Sequence, residues 1–323
     1  MTDPNLSATR PRPILVTGAS GNMGTPLVEA LLDLGAAVRV AARDTDSARA
    51  AFGDRVEVVR FDFTDPATFG AFDGVERMFL LRPPQIADVK HVIGPALDAA
   101  KARGVRHVVF LSIQGAERNR IVPHRKIEDH LRASGLDWTF IRAAYFMQNL
   151  STTHAPDIRR RDEIYIPAGR RSRTAHVDVR DVAAVAARAL VEPGHASQAY
   201  TPTGPAALTY DECAAILTDT LDRPIRYADP TPWHYWRRMA RRGMPAAMIM
   251  VTLGIYTAAR FGLAAGLTDD VERITGHAPI DFEAFARDHR GAWARPTVSP
   301  LAGTPGAEPD SASPAGAPTP RSR

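Results

Sequence analysis

Short apolar runs alternate along the chain with stretches whose apolar residues recur every three or four positions. The runs at 14–17, 38–42, 56–60, 77–81, 105–111 and 138–141 predict six buried strands. Helical spacing covers residues 23–34, 86–103 and 124–134, which stop at Gly35, Gly104 and Gly135. A glycine just past the last periodic residue closes a helix because it enters the left-handed region without a Cβ clash. Strands alternating with helices predict an α/β fold with a parallel sheet and right-handed crossovers. After residue 150 the pattern loosens. Residues 181–190 predict a helix with Asp181 at or near its N-cap, and helices dominate through residue 293.

The expected organisation is a domain over 12–150 and a smaller, mostly helical substrate region over 151–296. That second region is expected to return partly to the sheet. Residues 1–11 are polar and proline-bearing. Residues 297–323 are rich in Pro, Ala, Ser and Gly, with too few large apolar groups to offset ordering entropy. Both ends are expected to be disordered. No internal repeat is visible.

Composition adds exclusions. Of 323 residues, 45% are apolar and 24% charged, which is ordinary for a soluble globular protein. The net charge of +4 is small and sits in local arginine groups, so no nucleic-acid footprint is read from it. The single cysteine, Cys213, lies in a helical-looking segment and reads as a buried thiol. It permits neither an internal disulfide nor a cysteine-based metal site. No His/Asp/Glu grouping has metal spacing, and no Gly-x-Ser-x-Gly occurs. The N-terminus lacks the apolar core of a secretory signal, so a cytoplasmic protein is expected. Residues 245–259 carry no charge, but they are shorter than the roughly 20 residues a bilayer span needs, and Arg260 follows. A buried or lid helix is expected there. Shallow membrane-surface contact is the alternative, since Arg237, Arg238, Arg241 and Arg242 precede it. Trp233, Tyr235 and Trp236 read as a core or interface patch, or as an aromatic wall for a flat substrate.

The chemistry starts at the first turn. Gly18, Gly21 and Gly24 follow the first strand as Gly-x-x-Gly-x-x-Gly and open the first helix, with Ser20, Asn22 and Met23 between them. Such a turn lets backbone N–H groups and the positive end of the helix hold a pyrophosphate, and its last glycine allows close helix–strand packing. The fold is therefore expected to be a Rossmann-type, doubly wound parallel sheet that binds a pyridine dinucleotide. At the end of the second strand stands Arg43, nineteen positions after Gly24, where an arginine suits a 2′-phosphate. NADP(H) is favoured over NAD(H), although the adjacent Asp44 could face the ribose instead. Asp62 and Phe63, after the third strand, are placed to meet the adenine; Asp62 reads equally as a turn cap. Leu81, Arg82 and Pro83 follow the fourth strand and should pass beside the cofactor.

Several of these motifs together resemble the NmrA-like group of atypical short-chain dehydrogenases. They are Thr17 to Gly24, Arg43, Phe61-Asp62, Val108 to Ser112, and Glu128 with Ser134 through Asn149. The resemblance covers about residues 12–200 and continues more weakly through Thr275 to Pro279 and Asp281 to Phe285. Within the group the chain is similar to type-2 NAD(P)H:quinone oxidoreductases and triphenylmethane reductase, and also to redox-sensing regulators. It departs from ordinary short-chain dehydrogenases in having no Tyr-x-x-x-Lys. Members of the group commonly keep the lysine alone; here the matching position, four before Glu128 and eleven before Gly135, is His124 and not Lys126. The resemblance implies that His124 faces the nicotinamide, where it would orient the ribose or supply a proton. Lys126 reads as a solvated residue.

Candidate catalytic residues are thus His124, Ser112 and Tyr145. Ser112 ends a strand where open sheets place ligands, and it either bonds substrate or caps the next turn. Tyr145, Phe146, Met147 and Asn149 follow the sixth strand in a loop and are expected to floor the substrate pocket, with core packing the alternative for the aromatics. His176 to Asp178 is read structurally. The function expected is hydride transfer from NAD(P)H to a small electron-poor acceptor such as a quinone. The alternative is a non-catalytic NADP(H)-sensing regulator acting on a protein partner. A homodimer is plausible but is signalled by no motif.

Overall fold

In the computed structural model, which describes residues 11–295, the apolar runs of the first half become strands. β1 (Ile14–Thr17) leads into α1 (Gly24–Asp33), and β2 (Val38–Ala42) into α2 (Thr45–Phe52). β3 (Glu57–Arg60) and β4 (Arg77–Leu80) follow, then α3 (Gly94–Ala102), β5 (His107–Ile113), α4 (Pro123–Ser134) and β6 (Asp137–Ala143). The second half supplies β7 (Tyr145–Phe146), α5 (Gln148–Ser151), α6 (Ala155–Arg161), β8 (Glu163–Ile164), β9 (Thr174–Val177), α7 (Val179–Val191) and β10 (Gln198–Tyr200). It ends with β11 (Ala207–Leu208), α8 (Tyr210–Leu221), β12 (Arg226–Tyr227), α9 (Pro232–Arg241), α10 (Ala246–Arg260), α11 (Asp270–Thr275) and α12 (Phe282–Asp288). The disorder expected for residues 1–11 and 297–323 falls, except for Pro11, outside the described residues.

Seven strands form one parallel sheet in the order β10-β6-β5-β4-β1-β2-β3. Alternation along β1 sends Val16 to one face and Leu15 to the other. On the Val16 face the sheet packs against α1 and α7, through Leu27, Leu31, Val182 and Val185. On the Leu15 face it packs against α3 and α4, through Leu97, Ile127 and Leu131. A third core, around Tyr210, Tyr235, Phe285 and Trp293, fills the C-terminal lobe. This is a Rossmann-type, doubly wound α/β fold with a helical C-terminal region. Strand β10, from beyond residue 150, completes one edge of the sheet.

Three elements differ from their expected form. The helix expected over 86–103 begins late. Asp88 accepts a hydrogen bond from the His91 N–H, a π-turn spans Val89–Ile93, and α3 starts only at Gly94. Pro95 accounts for the π-turn: it has no N–H to donate four residues back, so the chain passes it on a wider turn before α3 begins. The helix expected at 181 begins at Val179, with Asp178 as N-cap. Asp181 lies inside its first turn, buried, and accepts a hydrogen bond from the Ile280 N–H. The loop expected after β6 is ordered instead. β7 pairs in parallel with β9, Tyr145 opposite His176, and α5 follows at once.

Candidate active site

The glycine turn sits at the C-terminal end of β1, between its neighbours β4 and β2, where the chain winds to opposite faces of the sheet. That switch point is where open α/β sheets leave a crevice for a ligand. Gly18 has φ +68, and a Cβ there would come within 2.9 Å of the Leu81 side chain. Gly24 is tighter still. A Cβ on it would lie 2.2 Å from the Gly18 carbonyl and 2.4 Å from the Ala19 Cα, both backbone atoms. The last glycine therefore lets α1 begin directly against the turn. Ser20, Gly21 and Asn22 are exposed on the rim of the crevice. Met23 is not a side-chain ligand there: it is buried in the core beneath α1 and can offer the crevice only its backbone.

The residues after β2 divide their work. Arg43 is exposed and makes no ion pair among the described residues. Asp44 is the N-cap of α2, its Oδ1 accepting from the N–H groups of Asp46 and Ser47 at 3.1 Å. Those bonds, first from Ser47, hold its carboxyl below the usual range. After β3, Asp62 accepts from the Thr64 N–H and hydroxyl at 2.8 and 2.7 Å. Those bonds lower its pKa, with Arg43 adding a smaller electrostatic contribution. Asp62 is thus a turn cap that also stands near Arg43. The Phe63 ring belongs to the core, edge-on to Phe61 at 4.7 Å, so a ring stacked on an adenine is not what this side chain offers.

Past β4, the Leu81 N–H donates to Thr17 Oγ1, which donates to the Phe79 carbonyl, tying the two loops of the crevice together. Arg82 is half-buried and has no carboxylate partner among the described residues. One end of its guanidinium donates to the carbonyls of Pro83, Pro84 and Ile86 and holds that loop in shape. Its charge faces His124. Burial first, and then Arg82, push the His124 pKa down to about 4, against a weaker opposing pull from Glu128. His124 is therefore a neutral imidazole near pH 7, lying roughly parallel to Phe110 with ring centroids 6.1 Å apart. A neutral ring offers one N–H donor and one acceptor nitrogen, which suits orienting a ribose or a carboxamide. Lys126, two residues on, is exposed, as expected.

Ser112 does not present itself to a ligand. Its side chain is 1% exposed, and its hydroxyl donates to Glu128 Oε1 at 2.7 Å. Glu128 is fully buried and also receives Arg142 Nε at 3.0 Å, Arg142 Nη2 at 2.7 Å and Arg132 Nη2 at 3.1 Å. Burial alone would raise its pKa, but these bonds, from Arg142 above all, hold it below the usual carboxylate range. The carboxylate thus binds α4 to β5 and β6. Residues four apart share a helix face, so His124 stands one turn earlier on the same side of α4. Ser112 is a positioning residue.

On the lobe side, the β7 alternation sends Tyr145 toward the C-terminal core and Phe146 toward the sheet core. The Tyr145 hydroxyl lies 3.3 Å from that of Tyr256 on α10 and 3.4 Å from His154 Nε2, while His154 and Tyr256 are 2.9 Å apart. Burial pushes Tyr145 up to about 12 and His154 down to about 4. Met147 is buried in the lobe core, which corrects its expected place in the pocket floor, and Asn149 is half-buried. Tyr235 is core, Trp236 packs against it, and Trp233 is exposed. Cys213 is buried, with its pKa raised.

Sequence reasoning missed Glu128 as a clamp, and missed His154 and Tyr256 altogether. The i, i+4 spacing of His124 and Glu128 was a usable signal for the first. Nothing local marks the other two, which meet Tyr145 only through the tertiary fold. Among the described residues no group of His, Cys, Asp and Glu is placed to hold a metal.

Known proteins bear on this arrangement. Over 285 residues the chain is 33% identical to the NAD(P)H azoreductase of Xenophilus azovorans, covering 87% of this chain and 99% of that one. It is 34% identical over 288 residues to the (4-alkanoyl-5-oxo-2,5-dihydrofuran-3-yl)methyl phosphate reductase of Streptomyces griseus, covering 87% and 99%. Its fold matches that of the NADPH-dependent quinone oxidoreductase of Escherichia coli solved with NADPH, at a TM-score of 0.77 and 23% identity, over 85% and 99% of the two chains. The model of the NmrA-like family matches residues 11–261, and the chain belongs to that family.

Proposed function

We propose that this protein is an NADPH-dependent reductase of small, flat, electron-poor acceptors, with quinones the favoured class. The observation that carries the cofactor half is the pairing of Arg43 with Asp44. The arginine stands exposed and unpaired at the end of β2, while the acid beside it is committed to capping α2. A phosphate-sized anion between Arg43 and the glycine turn matches that charge, whereas a ribose diol would need a free carboxylate. The fit to a dinucleotide rests on the Gly24 contact, where a side chain would push α1 off the turn. The reductase half draws on relatives that reduce azo and dihydrofuran compounds.

When bound, the dinucleotide supplies a hydride. Reduction of a quinone then needs one hydride and one proton. A quinone so reduced is protonated readily by water, so the missing Tyr-x-x-x-Lys is tolerable. On this reading the first-turn N–H groups of α1 and the Arg43 guanidinium bind and select. His124, neutral and lying along Phe110, orients the nicotinamide end. The Tyr145 hydroxyl donates to an acceptor oxygen, and its bonds to Tyr256 and His154 hold it in place.

Purified protein, mixed with NADPH and a panel of quinones, azo dyes and enones, is expected to consume NADPH with at least one quinone. Measurable NADPH binding with no consumption across the panel would overturn the reductase reading and favour a sensor.

A further inference from the structure

Residues 230–268 contain five arginines and no aspartate or glutamate. This stretch covers α9, α10 and the loop after them. It also holds seven of the ten exposed large apolar side chains among the described residues. On α10, Ala247, Met250, Val251 and Gly254 recur at helical spacing on one exposed face, while Ile249, Tyr256 and Ala259 are buried on the other. Met250 is 61% exposed and Val251 57%; beyond the helix end, Phe261 is 76% and Leu263 71%.

The arginines of this stretch divide into two sets. Arg238 and Arg242 turn inward to Asp157 and Glu163. Arg237, Arg241 and Arg260 are exposed and make no ion pair among the described residues. Arg260 and Arg171 line an open cavity of about 510 Å³ with Gly262 and Ala265, immediately beside Phe261 and Leu263. Arg170 and Arg173 line the same cavity and are paired with Asp211 and Glu212, which leaves Arg171 and Arg260 as its cations without an ion pair among the described residues. An exposed apolar face with such cations near it suits the headgroup boundary of a bilayer. No helix of the described residues is long and apolar enough to cross a membrane, so the contact is with a surface.

We infer that α9, α10 and the loop through Leu267 dock on an anionic lipid bilayer. The apolar face enters the headgroup boundary, and Arg237, Arg241, Arg260 and Arg171 meet lipid phosphates. A second copy of the chain fits less well. A two-fold contact sets a patch against itself, and here that would bring Arg237, Arg241 and Arg260 toward their own copies, while the nearby Asp211 and Glu212 are already paired with Arg170 and Arg173.

The docking segment is fastened to the rim of the candidate site. The Gly266 carbonyl accepts from Gln114 Nε2 at 2.8 Å, the Ala264 carbonyl from the Ala175 N–H at 2.7 Å, and Tyr256 meets Tyr145. Docking therefore brings the acceptor side of the cleft to the lipid surface. On the reductase reading above, on which this last step rests, the acceptor is a lipid-soluble molecule taken from the bilayer.

Vesicle flotation tests the docking without cofactor or acceptor, and so independently of catalysis. The full chain should float with vesicles of phosphatidylcholine mixed with phosphatidylglycerol, and not with phosphatidylcholine alone. Arg237→Ala with Arg241→Ala should weaken binding by about thirty-fold. Phe261→Ser with Leu263→Ser should remove the part of the binding that survives high salt. All four positions are exposed, and melting curves check that the variants stay folded. Failure to float, or flotation indifferent to the serine pair, would overturn the proposal. So would a dimer, seen by light scattering, that the serine pair splits.

Discussion

The two sides of the cleft use opposite materials. The side built from β1, β2 and β4 presents mostly backbone, a glycine turn and a helix start, with one exposed arginine at a strand end. Its neighbouring acids, Asp44 and Asp62, are occupied in capping turns. The side built from β7, α6 and α10 places side-chain hydroxyls and imidazoles inside an apolar lobe, where Tyr145, His154 and Tyr256 have chiefly each other for partners. A backbone device tolerates changes to most nearby side chains but not to its glycines. A side-chain cluster is sensitive to each member, yet each can be altered without moving the chain.

The largest expected effect breaks the backbone side. Gly24→Ala puts a Cβ into the Gly18 carbonyl and should cost about 1–3 kcal/mol of stability, as overpacking does. It should also weaken NADPH about a hundred-fold, read by melting temperature and calorimetry. Unchanged affinity would mean that the turn does not hold the cofactor. Arg43→Ala should follow, with NADPH weakened about ten- to a hundred-fold, the range of one charged hydrogen bond, and NADH left alone. Equal loss for both nucleotides would remove the 2′-phosphate assignment. On the other side, Tyr145→Phe should lower kcat about ten-fold with NADPH affinity unchanged, and Tyr256→Phe should do the same more weakly. If either shifts cofactor binding instead, the two sides are not separate. His124→Ala, at the seam, should lower turnover several-fold with little change in nucleotide affinity; full activity would reduce it to packing.

The smallest effect is the pH dependence of stability. His107, His124, His154 and His176 are each pushed from 6.5 to about 4, by burial above all. The unfolded chain therefore takes up these protons near pH 6.5, and the folded chain only near 4, so stability falls as pH drops through that window. Asp181, raised from 3.8 to about 6 by burial, acts the other way and offsets one of the four. Melting temperature should decline steadily below pH 6.5. The decline should be shallower when His154 and His176 are both replaced by Phe, and a flat profile from pH 7 to 5 would show that these imidazoles titrate freely.

The same contrast explains what the sequence revealed. Strands, the glycine turn and Arg43 are local features, written in consecutive residues, and β2 falls on the run 38–42 as expected. The errors arose where a distant partner decides the outcome. Ser112 reads as a ligand contact until Glu128 is seen to accept its hydrogen bond. Met147 looks like pocket lining until β9 draws β7 into line and turns it inward. Tyr256 is 111 residues from Tyr145, and no periodicity could join them. At Pro95 the signal is local: an imino acid inside a predicted helix changes the turn before it, here to a π-turn.

The cap at Asp44 has a practical corollary for redesign. An engineer wishing to swap coenzyme preference would be tempted to delete Arg43 and let the neighbouring acid grasp the adenosine sugar. That acid already steadies the first turn of α2 by accepting from the Asp46 and Ser47 N–H groups. Recruiting it would fray the helix behind the pocket, so a successful swap should import a new carboxylate and leave Asp44 in place.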